Sequence, residues 1–138
     1  MTAVDSTPSG LLSEALDDSI SASGHNVSAN GIRQHVLVFR GQVRRAPLVL
    51  VPGITSPAVA WSFVAERLAK AFDVYVLDVR GRGLSSTGPG LDYGLDAMAD
   101  DLSALIAALG LDGVTVLGHS MGARIALCAA SRDPAGMA

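Results

Sequence analysis

A single cysteine, Cys128, in 138 residues excludes an internal disulfide framework and suits a reducing compartment. It stands beside Ala126, Ala129 and Ala130, the setting of a packing residue and not of a reactive thiol. No stretch approaches the ~20 apolar residues that span a bilayer. The start, Met1-Thr2-Ala3-Val4-Asp5, has neither the basic residues nor the apolar core of a secretory signal, so the expected location is the cytoplasm. Basic charge is not in excess: a net charge of −3 gives no electrostatic case for nucleic acid or an anionic membrane surface. Histidine is scarce, at His25, His35 and His119 only, and none follows residue 119. What is abundant is apolar character, 49% against 17% charged, ample for the core of one small domain or of part of a larger one.

The chain divides near residue 25. Residues 1–24 are rich in Ser, Asp and Gly with weak patterning and read as a flexible leader. Residues 25–138 read as one unit. Asn26 to Ala29, then Asn30-Gly31, then Ile32 to Phe39 predict a hairpin with a tight Asn-Gly turn. His35 falls inside its second strand, facing solvent or a neighbouring side chain. Pro47 to Val51 is a continuous apolar run, the mark of a strand covered on both faces. After the loop Pro52-Gly53-Ile54-Thr55 a helix is expected, with Ser56 as cap and Pro57 in its first turn. Its apolar stripe would be Trp61, Val64 and Leu68.

Phe72 to Val79 predicts a second buried strand. The loop Arg80-Gly81-Arg82-Gly83 that follows lacks a G-x-G-x-x-G or G-K-[ST] pattern, which leaves the phosphate-cradle reading weak. Leu95, Met98, Leu102, Leu105, Ile106 and Leu109 step by three and four along a helix closed by Gly110. Asp96, Asp100 and Asp101 are expected on its solvated outer face and first turns. A third apolar strand then runs to Gly118. Strands alternating with helices from Pro47 onward predict a parallel sheet with crossover helices.

The chemistry concentrates in Gly118-His119-Ser120-Met121-Gly122, a G-x-S-x-G pattern between a strand and a helix. A serine on so sharp a turn takes a strained backbone, and side chains at 118 and 122 would collide with neighbouring strand and helix. The turn lifts the Ser120 hydroxyl above the sheet as a nucleophile, beside the first free N–H groups of the helix. Two oxyanion donors are expected: the backbone N–H of Met121 and that of Ile54. The His119 ring is expected to point sideways into the structure. A serine nucleophile also needs a histidine base and an acid to orient it, which in this architecture follow it in chain order. Only 18 residues follow Ser120, without histidine. Asp133, the one later carboxylate, falls where the last helix ends and is rejected as the acid. The chain reads as the N-terminal part of an enzyme domain, its triad acid and histidine absent, inactive as it stands. Its elbow strand would be a bare sheet edge. Arg80, Arg82 and Arg124 are open to two readings, contacts to a carboxylated substrate or structural and solvated arginines.

Over roughly residues 25 to 131 the chain resembles the α/β-hydrolase superfamily, and within it the N-formylmaleamate deformylases. The likeness rests on the 26–35 segment from Asn26 to His35, on Pro52-Gly53-Ile54-Thr55-Ser56-Pro57, on Asp78-Val79-Arg80-Gly81-Arg82-Gly83-Leu84-Ser85-Ser86, and on the elbow. The elbow specifies only the superfamily; the other runs are narrower. The resemblance implies an α/β fold, a hairpin followed by parallel βαβαβα with C-terminal strands and cap missing. It implies hydrolysis of the formyl amide of N-formylmaleamate, a small carboxylated substrate, to maleamate and formate in nicotinate breakdown. No metal or organic cofactor is implied, and Ser120 matches the family's nucleophile. Esterases, carbon–carbon bond hydrolases and enol-lactonases share the elbow and stay open as alternatives, as does a non-catalytic interaction module.

Overall fold

The structure, a computed structural model, describes residues 20–135 and 137; the expected leader lies outside the described residues as far as residue 19. Strands β1 (Ser21–Ala29) and β2 (Ile32–Arg40) form the hairpin, with φ of 56° at Asn30 and 75° at Gly31. A two-residue turn of this hand needs positive φ at both positions, which Asn-Gly supplies at least cost. Strand β1 starts at Ser21, earlier than residue 25, because Ser21 pairs with Arg40 and Gly24 with Leu37. The side chains of 21–24 are exposed, so no apolar alternation marks them; the backbone ladder alone extends the strand.

Beyond the hairpin come β3 (Pro47–Val51), α1 (Ser62–Leu68), β4 (Asp73–Leu77), α2 (Leu95–Ala108), β5 (Thr115–Gly118) and α3 (Met121–Arg132). The sheet order is β1-β2-β4-β3-β5. Strand β3 runs parallel to β4 and β5, whereas β2 meets β4 antiparallel. Alternation along β3 splits the core. Leu48 and Leu50 face α1 with Val74, Val76, Ala58, Ala65 and Ala69. Val49 and Val51 face α2 and α3 with Leu102, Ile106, Ile125 and Ala129. Helices thus cover both faces, and β4 and β5 lie on opposite sides of β3. The chain reverses direction across the sheet there, which leaves a crevice at the carboxyl ends of the strands, where open α/β sheets bind ligands. Among the described residues no helix is long and apolar enough to cross a membrane.

Several local expectations are corrected. Ser56 caps no helix: Ala58–Trp61 is a 3₁₀ turn after Pro57, without a side-chain cap, and the α-helix begins at Ser62. The Ala58 N–H is instead taken by the Asp78 carboxylate at 2.7 Å. The face of α1 against the sheet is made by the alanines, with Trp61 and Leu68 at its margin and Val64 exposed. The elbow strand is not wholly bare, since Val114 forms a parallel bridge with Met137.

The largest correction concerns Asp101. It is 2% exposed, not solvated. Arg80 donates to it through Nε and Nη2 at 2.6 Å each, and Asn30 Nδ2 donates at 2.9 Å. The Asp101 hydrogen bonds raise the Arg80 pKa, against the lowering effect of burial. The pair ties the hairpin tip and the loop after β4 to α2. Asp96 and Asp100 do lie on the exposed face, paired with Arg132 of α3. Removing one partner of a buried pair strands the other charge. Asp101→Ala is expected to destabilise the protein by about 3–5 kcal/mol in urea unfolding, and the double change Arg80→Met, Asp101→Leu to recover most of that loss.

Candidate active site

The elbow sits where β5 ends beside β3. Gly118 closes β5, the His119 N–H bonds the Val51 carbonyl at 3.0 Å, and α3 starts at Met121. Both glycines are needed for clearance. A Cβ on Gly122 would lie 1.9 Å from the Val51 oxygen, and one on Gly118 2.5 Å from the Ala123 Cα. Ser120 has φ 56° and ψ −117°, a backbone conformation that glycine adopts freely and other residues at a cost of order 1–3 kcal/mol.

Ser120 is exposed and its side chain does not cap α3, so the hydroxyl is not spent on the helix. At the start of α3 the N–H of Gly122 goes to the His119 carbonyl, and those of Ala123 and Arg124 go to that of Ser120. The Met121 N–H has no acceptor among the described residues, and neither has that of Ile54. Gly53 brings the Ile54 loop onto the elbow: a Cβ there would be 3.4 Å from the Ser120 Cβ and 3.3 Å from His119 Nδ1. An exposed hydroxyl and two unspent amides on adjoining segments give the site the parts for attack on a carbonyl and for holding the charge that results.

The three histidines are accounted for elsewhere. The His119 ring lies against Trp61, centroids 5.0 Å apart and tilted by 56°; it leans sideways as expected but on an exposed residue. His25 bonds Ser23 on the edge strand at 2.8 Å. His35 bonds Asp78 Oδ2 through Nδ1 at 2.8 Å, so it faces a neighbouring side chain and not solvent. Asp133 follows α3 and is exposed. Among the described residues no three His, Cys, Asp or Glu side chains are grouped so as to hold a metal ion.

Asp78 was not singled out from the sequence as a site residue, yet it gathers three segments around the Ile54 loop. Its Oδ1 accepts from Ala58, and its Oδ2 from His35 and from the Leu84 N–H at 3.2 Å. Ser85 donates to its carbonyl and accepts the His35 N–H at 2.8 Å. The available signal was a carboxylate directly after the buried run 74–77, a position that burial forbids without partners. Beside it an apolar groove of about 490 Å³ runs past Leu37, Pro57, Val59 and Leu84; Ser120 does not line it. Arg80 is buried in the Asp101 pair, Arg82 reaches the Ile54 carbonyl at 3.1 Å, and Arg124 is exposed.

Two substitutions separate sterics from chemistry here. Ser120→Ala keeps the strained backbone and is expected to leave stability nearly unchanged. Ser120→Gly relieves 1–3 kcal/mol of strain and returns about 0.4–1 kcal/mol through the freer unfolded chain. A net gain of about 1 kcal/mol is expected in urea unfolding, at the expense of the hydroxyl.

Residues 46–138 match the alpha/beta hydrolase fold family. The chain is 64% identical to N-formylmaleamate deformylase of Pseudomonas putida over 115 residues, 83% of this chain and 42% of that protein. It is 37% identical to 2-(acetamidomethylene)succinate hydrolase of Mesorhizobium japonicum over 89 residues, 64% of this chain and 32% of that one. The crystal structure of N-formylmaleamic acid deformylase from Pseudomonas putida S16 superposes with a TM-score of 0.77 at 63% identity, over 83% of this chain and 44% of the crystallised one. The chain thus spans less than half the length of these relatives. With its hairpin, its parallel strands between helices and its glycine-flanked turn at Ser120, the chain belongs to the α/β-hydrolase fold family.

Proposed function

We propose that the protein is a serine hydrolase acting on the formyl amide of N-formylmaleamate. Ser120 Oγ attacks the formyl carbon, and the oxyanion rests on the N–H groups of Ile54 and Met121. Collapse breaks the C–N bond, releases maleamate and leaves a formyl ester on Ser120; water cleaves that ester to formate and the free hydroxyl. The observation that carries this reading is the exposed, uncapped Ser120 hydroxyl beside two backbone amides without acceptors. The deformylase relative at 64% identity supports the choice of substrate among carbonyl compounds. The reaction is read as a step of nicotinate breakdown, as the family resemblance implies, and its location as the cytoplasm.

The proton acceptor for Ser120 is read as lying in the part of the relatives' length that these 138 residues do not span, together with the acid that orients it. By themselves the 138 residues are accordingly read as inactive. A second reading, a non-catalytic interaction module, draws on that same lack of a histidine after Ser120. The two part on one experiment with the full-length reading frame. Formate release from N-formylmaleamate is expected, with Ser120→Ala lowering kcat by at least about 10⁴. A fluorophosphonate probe is expected to label Ser120. Turnover of simple esters alone would make the protein a general esterase, and no turnover with no labelling would leave the module reading.

A further inference from the structure

We propose that Arg82 is a positioning residue for the oxyanion site, holding the Ile54 segment at the distance from Ser120 that a tetrahedral intermediate needs; this rests on the serine-hydrolase reading. Ile54 is more than half exposed and sits in a loop with little of its own to hold it. One backbone bond closes the turn, from the Ser56 N–H to the Gly53 carbonyl at 3.2 Å. Three outside ties hold its path. Gly53 packs on Ser120 and His119, Asp78 holds the Ala58 N–H, and Arg82 Nε donates to the Ile54 carbonyl at 3.1 Å. Only the last acts on residue 54 itself. With rigid peptide planes, pinning the carbonyl of a residue leaves its own N–H only the rotations about φ and ψ in between, and Gly53 closes off the other end.

Arg82 is itself well anchored. Its Nη1 donates to the Arg80 carbonyl at 2.9 Å, its N–H to the Val79 carbonyl at 2.9 Å, and its carbonyl accepts from the Ser85 N–H. The Asp78 and Asp101 networks fix the segment on either side. The guanidinium therefore transmits the rigidity of the loop after β4 to the loop after β3. Two of its donors point into the protein, which sets this role apart from that of an arginine turned wholly toward a substrate carboxylate. Its flat fork serves two carbonyls at once, which a lysine does only in part.

The test uses the full-length protein with N-formylmaleamate and with an uncharged ester, p-nitrophenyl acetate. Arg82→Gln is expected to lower kcat by about 10- to 100-fold on both substrates, since an angstrom of misplacement costs on that scale, with KM within about twofold. Arg82→Lys, which keeps one donor, is expected to recover part of the rate. Urea midpoints measured alongside identify a folding defect. If Gln does not fold, the Lys variant alone decides, by whether its loss lies in kcat for both substrates. A loss confined to N-formylmaleamate and carried by KM would overturn the proposal in favour of carboxylate binding; unchanged kinetics would overturn it outright. Ser120→Ala run in parallel with undiminished turnover would overturn the underlying reading instead, whatever Arg82 does.

Discussion

The arrangement at the carboxyl end of the sheet depends on one buried carboxylate. Asp78 is 3% exposed, and an ionised group so placed is tolerable only when its oxygens are occupied by donors. The donors come from segments far apart in the chain: His35 from β2, Ala58 from the turn before α1, Leu84 from the loop after β4. None can drift without stranding the charge, so one residue's solvation requirement fixes three segments against each other. Gly83 belongs to the same constraint, for a Cβ there would lie 2.1 Å from Asp78 Oδ1. The result is a rigid frame around the Ile54 loop, built from polar contacts where the core proper has already ended.

The elbow is held by a different balance. Its unfavourable backbone at Ser120 is local and modest beside what surrounds it. The β3–β5 ladder pairs Val51 with Gly118, and α3 packs Ile125 and Ala129 into the core. With Gly122 seated against the Val51 carbonyl, α3 cannot relax away from β3 without losing that packing. Strain of a few kcal/mol therefore persists, and a hydroxyl that would otherwise cap the helix stays free.

How much of this was legible in the sequence follows from the range of each interaction. The Asn30-Gly31 turn, the buried strands and the elbow glycines could be read directly, because each answers a requirement within a few residues: positive φ, two-sided burial, clearance at a sharp turn. The Asp101 pairing could not. On a helical wheel it stands one turn from Met98 and from Leu105, at the margin of the apolar stripe, but its partner Arg80 lies 21 residues away in the chain. Ser56 had the right identity for a cap but lost to a carboxylate 20 positions from Ala58. The four exposed residues at the start of β1 carried no pattern, since their order comes entirely from β2. Asp78 gave a readable hint, a carboxylate directly after the buried run 74–77, but which donors answered it depended on topology.

The same distinction of range bears on how the parts of the proposed site divide along the chain. Oxyanion donors are backbone groups, so they need only two loops brought together by adjacent parallel strands. Here β3 and β5 are neighbours, and the loop after one meets the helix after the other within 113–125, 47–58 and the frame set by Asp78. Proton transfer needs a side chain of suitable pKa within hydrogen-bond reach of the nucleophile, and His35 is paired with Asp78 while the His119 ring lies against Trp61. Charge stabilisation and proton handling are thus separable pieces of such a site. On the reading proposed above, the first is set by the geometry of the central strands, where the N–H groups of Ile54 and Met121 are without acceptors among the described residues.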